Sequence, residues 1–282
     1  MMMVAIALGA VAVGFGVGIL SGLLGVGGGT VMIPLLRLAF GLPALETTAT
    51  SLFFACPTSI SGSIGHIRRN TSIWKLGLAM GIAGACLAPL GSLFSKTAGP
   101  VVTMVCAAIV IVYTAVRMLR QGIKMPGRKA RLAAEASGAP VAAEPQLDTS
   151  ALPGEGPLAR RLVLPIIGGA IAGFMSGFLG LGGGFLMIPL LVWAFKLPMR
   201  YAAGTSSVAM AILCIPGVVT HGLMGDVHWL LGLALVIGSV PGAQVGSNLA
   251  SKAPDKLLRI IFGCLLIFGG IMIALNEFGV FG

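Results

Sequence analysis

Apolar residues run through this chain in long stretches, and the polar or glycine-rich intervals between them divide it into ten segments. The stretches cover roughly Val4 to Leu24, Thr30 to Phe40, Thr47 to Ile64, Trp74 to Phe94 and Val101 to Val116, then Leu162 to Leu179, Phe185 to Phe195, Ala202 to Val219, Trp229 to Leu249 and Leu257 to Leu275. A helix needs about 20 apolar residues to cross the hydrocarbon of a bilayer. The pattern predicts membrane helices, with the second and seventh segments too short for ordinary spans. The stretch from Met1 to about Leu20 has no basic residue ahead of it and leads straight into another apolar run. It is expected to be a first membrane helix rather than a secretory signal.

The segments fall into two sets of five that repeat one another. Ser21-Gly22-Leu23-Leu24-Gly25-Val26-Gly27-Gly28-Gly29 matches Ser176-Gly177-Phe178-Leu179-Gly180-Leu181-Gly182-Gly183-Gly184, and Met32-Ile33-Pro34-Leu35-Leu36 matches Met187-Ile188-Pro189-Leu190-Leu191 at the same offset. Without a gap that offset also pairs Leu42-Pro43 with Leu197-Pro198, Thr50-Ser51 with Thr205-Ser206, Gly62 with Gly217, His66 with His221, Trp74 with Trp229 and Gly91-Ser92 with Gly246-Ser247. Chance likeness between apolar sequences does not align His, Trp and Pro in this way.

Composition agrees with lipid as the solvent. Of 282 residues 57% are hydrophobic and 9% charged, with a mean hydropathy of +1.03, whereas a soluble domain carries about a quarter charged residues. Glycine, at 43 residues against 6% aromatics, suits helices that approach closely in apolar surroundings. The formal charge of +10 sits mostly in short segments between apolar stretches, so it reads as topology and not as a nucleic-acid surface. Cys56, Cys86, Cys106, Cys214 and Cys264 lie singly inside apolar stretches without metal-ligand spacing. They read as reduced packing residues, and no metal or cofactor is expected.

Between Arg117 and Arg161 the chain turns rich in Ala, Pro, Gly and charge. Residues 120–161 are read as a flexible linker, too poor in apolar surface to fold alone, between a first membrane repeat over residues 1–119 and a second over residues 162–282. The basic start of this linker should be cytoplasmic. Counting segments from it puts both termini outside, the loop with Arg68 and Arg69 inside, Glu46 and Lys96 outside, Lys196 and Arg200 inside, Asp226 outside, and Lys252, Lys256 and Arg259 inside. Equivalent loops then carry opposite charge bias. The expected fold is an all-α integral membrane protein of two inverted-topology repeats, about five segments each, with Gly-rich broken or re-entrant helices, in a bacterial inner membrane.

The glycine runs carry the strongest chemical signal. Non-helical backbone at membrane depth is tolerated only where protein or a water-filled cavity satisfies its amides. A helix starting after each run, at Thr30 and Phe185, presents bare N–H groups and a positive dipole end, which suits an anion. The alternative is that glycines merely permit close helix crossing, as the four-residue spacing of Gly14, Gly18 and Gly22 does. No Lys-Ser/Thr follows either run and no strand precedes it, which argues against a nucleotide-binding loop.

The doubled Ser-Gly-x-Leu-Gly-x-Gly-Gly-Gly, followed by Met-Ile-Pro-Leu-Leu and then Thr-Ser, resembles the TauE/SafE family of membrane permeases, also called sulfite exporter family proteins. The likeness covers Val4 to Ser95 and Leu162 to Leu275. It implies a transporter of sulfite or of small organosulfur anions such as sulfonates. One departure is Ala49-Thr50-Ser51 where the second half has Gly204-Thr205-Ser206, so the halves need not contribute equally.

The substrate-binding candidates are Gly27, Gly28, Gly29, Thr30, Thr50, Ser51, Gly182, Gly183, Gly184, Thr205, Ser206, Gln244 and Asn248. Hydroxyls suit a sulfonate, which has three acceptor oxygens and no proton to give, although Ser and Thr also cap helices or bond their own backbone. Gln244, Ser247 and Asn248, in an otherwise apolar segment, serve either a site or interhelical bonding. Pro57 and Pro216 are expected to kink their helices. His66 and His221 are the candidates for a proton relay, against an interfacial structural role. Glu46, Asp226, Asp255 and Glu277 all fall at segment ends, so carboxylate-based cation coupling has little support. No nucleophile and base arrangement marks an enzyme. The expected partners are a small anionic substrate, the lipid bilayer and, optionally, further copies of the chain; the competing reading is an accessory or scaffold subunit without transport activity.

Overall fold

The computed structural model describes residues 2–98, 100–124, 158–179 and 184–277. Ten helices account for their regular structure, and no strand occurs among the described residues. The first repeat supplies α1 (Met2–Leu24), α2 (Gly29–Phe40), α3 (Ala44–Arg68), α4 (Trp74–Ala98) and α5 (Pro100–Lys124). The second supplies α6 (Leu158–Leu179), α7 (Gly184–Trp193), α8 (Met199–Met224), α9 (Trp229–Lys252) and α10 (Asp255–Glu277). Stretches within α1, α4, α8 and α9 are long and apolar enough to cross a membrane. By contrast α2 and α7, of 12 and 10 residues, reach only about half the roughly 30 Å of hydrocarbon at 1.5 Å per residue.

The basic stretch beyond Arg117 does not end the helix. α5 continues to Lys124 and α6 starts at Leu158, so Arg120 and Lys124 extend a helix and only residues 125–157 of the expected linker lie outside the described residues. A change from apolar to charged composition marks where a helix leaves the apolar layer, and helices readily outrun that layer.

The two halves interlock rather than sit side by side. The most extensive packing joins α1 to α9 and α4 to α6, which are equivalent pairs, each matching the first helix of one repeat with the fourth of the other. Small residues allow it. A Cβ on Gly14, Gly18 or Gly22 would lie 2.2, 2.5 or 2.2 Å from the carbonyl oxygens of Leu235, Ser239 and Ala243. Gly238, Gly242 and Gly246 meet Val11, Phe15 and Ile19 as closely in return. Such backbone approach is how helices associate where apolar burial alone gives no driving force.

The same registers fix directions. Residue numbers rise together along α1 and α9, and along α4 and α6, where Gly169 meets Met80 and Gly173 meets Gly84. They also rise together along α3 and α9, by Thr58 with Ser239 and Gly65 with Ser247, and along α4 and α8, by Gly77 with Thr205 and Gly81 with Ala209. Along α3 and α8 they run oppositely, by Gly62 with Ser207 and Gly217 with Leu52. Hence α1, α3 and α9 point one way and α4, α6 and α8 the other. Equivalent helices of the two repeats are antiparallel.

Each short helix folds back on its predecessor. Gly25, Gly27 and Gly28 adopt φ of +73°, +77° and +76°, a region that side chains with a Cβ disfavour, and the chain reverses there. Met32 and Leu36 of α2 then pack with Ala10 and Val17 of α1, Phe54 of α3 and Leu231 and Leu235 of α9. In the second repeat Gly168, halfway along α6, meets Leu190, late in α7. Basic residues gather at one end of the bundle, where Arg69 reaches Ser247, Asp255 holds the α8 terminus and Arg259 reaches Gln121. The opposite end carries His221 with Asp226 and the edge-on pair Phe53 and Trp229.

Candidate functional site: the first glycine turn and the start of α7

The two helix breaks meet. Gly184 opens α7, and a Cβ there would lie 2.2 Å from the carbonyl oxygen of Val26 and 2.6 Å from its carbonyl carbon. Only glycine lets the start of α7 rest on the backbone of the first turn. The corresponding glycines Gly180, Gly182 and Gly183 lie outside the described residues.

The first turn is held by side chains from both repeats. A helix leaves its last carbonyls without intrahelical donors, and α1 ends at Leu24 inside the protein, where water cannot serve them. Gly25 N–H closes on the Ser21 carbonyl at 2.7 Å. His66 of α3, fully buried, donates from Nε2 to the Gly22 carbonyl at 2.8 Å. A carbonyl only accepts, so the neutral ring carries its proton on Nε2. Nδ1 is then free to accept from the Thr71 hydroxyl at 2.9 Å. Ser206 of α8 donates to the Gly25 carbonyl at 2.8 Å, with the Ala203 carbonyl 3.0 Å away as the alternative. The Ser21, Gly22 and Gly25 carbonyls are thereby satisfied, and the positive end of α2 follows directly after them.

That end is bare. Gly28 caps α2 without a side chain, and the Val31 and Met32 amides already donate to the Gly28 carbonyl. The amides of Gly29 and Thr30 precede the first turn and have no helical carbonyl to meet. The Thr30 side chain lies outside the described residues. The dipole and these N–H groups favour negative charge at this spot.

The remaining predicted residues divide. Thr50 and Thr205 are equivalent and act equivalently: the Thr50 hydroxyl accepts the His228 N–H at 3.1 Å, and the Thr205 hydroxyl accepts the Ile73 N–H at 3.0 Å. Each ties a third helix to the start of the other repeat's fourth. Because α3 and α8 are antiparallel, these threonines stand toward opposite ends of the bundle rather than around one ligand. Ser51 is buried at the position equivalent to Ser206. Gln244 donates to the Ser61 carbonyl at 2.7 Å and lies 3.2 Å from its hydroxyl, joining α9 to α3; Asn248 sits one turn further along α9. Pro57 and Pro216 lie inside α3 and α8. His221 is partly exposed at 22% and bonds Asp226 at 3.2 Å, away from both turns. Among the described residues no group of three or more His, Cys, Asp or Glu side chains is assembled for a metal.

What the motif reading passed over is a run of hydroxyls in the middle of α3. Thr58 bonds Ser239 at 2.6 Å, Ser61 donates to the Val240 carbonyl at 2.7 Å and Ser63 to the Ile60 carbonyl at 2.8 Å. Ser59, between them, faces Gly27. The signal was available as four hydroxyl residues within six positions of an apolar helix, a density that the matching stretch Leu213 to Val218 lacks.

Intertwined, oppositely directed repeats whose broken helices meet at the centre define a multi-pass membrane transporter. A family model described as Sulfite exporter TauE/SafE matches residues 10–273. The chain is 26% identical to the probable membrane transporter protein YunE of Bacillus subtilis over 93% of its own length and 97% of that protein. It is 28% identical to the probable membrane transporter protein YdhB of the same organism over 90% and 97%. A probable membrane transporter protein of Methanocaldococcus jannaschii is 27% identical over 93% of both chains. The chain therefore belongs to the TauE/SafE sulfite exporter family. No solved structure matches it.

Proposed function

We propose that this transporter moves a small oxyanion, sulfite or an organosulfonate, by alternating access around the point where the start of α7 rests on the first glycine turn. The observation that carries the reading is the bare start of α2, held at the centre by His66 and Ser206 through the preceding carbonyls. Peptide amides and a helix dipole supply attraction without a fixed cation, so the anion can be bound and released cheaply. The basic end of the bundle is assigned to the cytoplasm of a bacterial inner membrane, with the linker there and both termini outside. An inside-negative potential then drives the anion outward with roughly 2.3 kcal/mol per charge per 100 mV.

The test is flux of radiolabelled sulfite and of a sulfonate in proteoliposomes under a potassium diffusion potential with no pH gradient. Uptake that follows the imposed voltage is expected. Flux that ignores voltage and requires a proton gradient rejects uniport and turns attention to His66 and His221. No flux of either probe rejects the oxyanion reading.

A further inference from the structure

Ser59 is 2% exposed, and its hydroxyl has no hydrogen-bond partner among the described residues. A serine inside an apolar helix ordinarily bonds its own backbone one turn back, as Thr58 does to the Phe54 carbonyl at 2.7 Å and Ser207 to the Ala203 carbonyl at 2.9 Å. Ser59 makes no such bond, although the other three hydroxyls of its run are all engaged. An unpaired buried hydroxyl is costly and asks for a reason.

Its position supplies one. Ser59 Oγ lies 3.1 Å from where a Cβ on Gly27 would stand, with Met210 Cε at 2.9 Å on the same spot. The hydroxyl thus faces the glycine turn at Gly27, two residues ahead of the first residue of α2, whose first amides have no intrahelical carbonyl to meet. An O–H donor next to bare N–H donors matches an oxyanion, which offers several acceptor oxygens. No acidic residue occurs in α1 or α2, and Glu46 in the first turn is the only one in α3. The other repeat offers no equivalent. The offset that pairs the halves puts Cys214 opposite Ser59, and Cys214 packs in an apolar cluster with Ala55, Met210 and Leu213. A thiol is a weak donor.

We propose that Ser59 is an anion-coordinating residue, its hydroxyl donating to one oxygen of the oxyanion held at the Gly27–Gly29 turn. The claim rests on the transport reading above and makes the site one-sided: the first repeat supplies the hydroxyl.

The experiment compares wild type with Ser59→Ala, Ser59→Cys and Ser59→Thr in proteoliposomes at fixed voltage. It measures KM for sulfite and, in detergent, the melting temperature with and without sulfite. Losing a hydrogen bond to a charged acceptor raises KM about tenfold or more, so Ser59→Ala and Ser59→Cys should show that rise and a diminished sulfite-induced shift. Their ligand-free melting temperatures should equal or exceed wild type, because the hydroxyl satisfies nothing in the empty protein. Ser59→Thr, which keeps the hydroxyl, should stay within about threefold of wild type. Should Ser59→Ala fail to insert, Ser59→Cys carries the measurement. Wild-type KM and wild-type sulfite shift in either variant overturn the assignment while leaving oxyanion transport standing. A wild-type protein that neither moves sulfite nor is stabilised by it overturns both.

Discussion

The two repeats share a frame and differ in what hangs on it. In the frame they are interchangeable: Thr50 grips the amide before α9 and Thr205 the amide before α4, and the α1 to α9 glycine contacts have their counterpart between α6 and α4. In the polar residues they part company. His66 is buried against the Gly22 carbonyl with Thr71 behind it, whereas His221 is partly exposed and paired with Asp226, which occupies the position equivalent to Thr71. A duplicated fold must keep the contacts that both copies need in order to close. It is free to specialise other residues, and among the described ones the two equivalent histidines have done so.

Five substitutions, in three tests, sharpen or break that contrast. The largest effect is expected from Gly184→Leu, because the side chain has to displace the Val26 backbone where α7 starts against the first turn. Flux should fall more than a hundredfold while membrane insertion, followed by fractionation, persists; near-normal flux would mean that this contact is not needed. Next, His66→Ala strands the buried Gly22 carbonyl, a loss of about 1–3 kcal/mol, and should cut flux at least tenfold. His221→Ala should stay within about twofold, since its partner is a partly exposed carboxylate and such pairs contribute at most about 1 kcal/mol. Equal losses in the two variants would dissolve the asymmetry. The smallest effect tests the shared frame. Thr50→Val and Thr205→Val should each lower unfolding free energy by about 1 kcal/mol in denaturant titrations of detergent-solubilised protein. A marked inequality between those two would show that the frame has diverged as well.

Much of the frame is legible in the amino-acid order. Glycine triplets cannot extend a helix cheaply, a twelve-residue helix cannot cross a bilayer, and repeated His, Trp and Pro betray duplication, so helix number, the breaks and the pairing of halves follow. The site is less legible, because linear spacing does not say which helix a side chain faces. Thr50 and Thr205 look like ligand donors from their Thr-Ser signature, and spacing does not show that each hydroxyl also accepts an amide N–H from the other repeat. Gln244 looks equally suited to a ligand and to a neighbour, and it is bonded to Ser61. Ser59 attracts no notice in a run of serines, since being unpaired is a property of the packed interior and not of the residue. The extent of α5 was hidden for another reason: charge shows where the bilayer's apolar layer stops, and helices do not stop with it.

The crossed packing of α1 with α9 has a consequence for how the protein is made. The ribosome delivers α1 long before its closest neighbour, so that helix enters the membrane with its glycine face unmatched and must wait there. The first half is then not a finished unit to which a second is added; it becomes complete when α9 threads in beside it. Expressing the halves as separate polypeptides should therefore yield either a reconstituted protein or two short-lived fragments, with no stable half on its own.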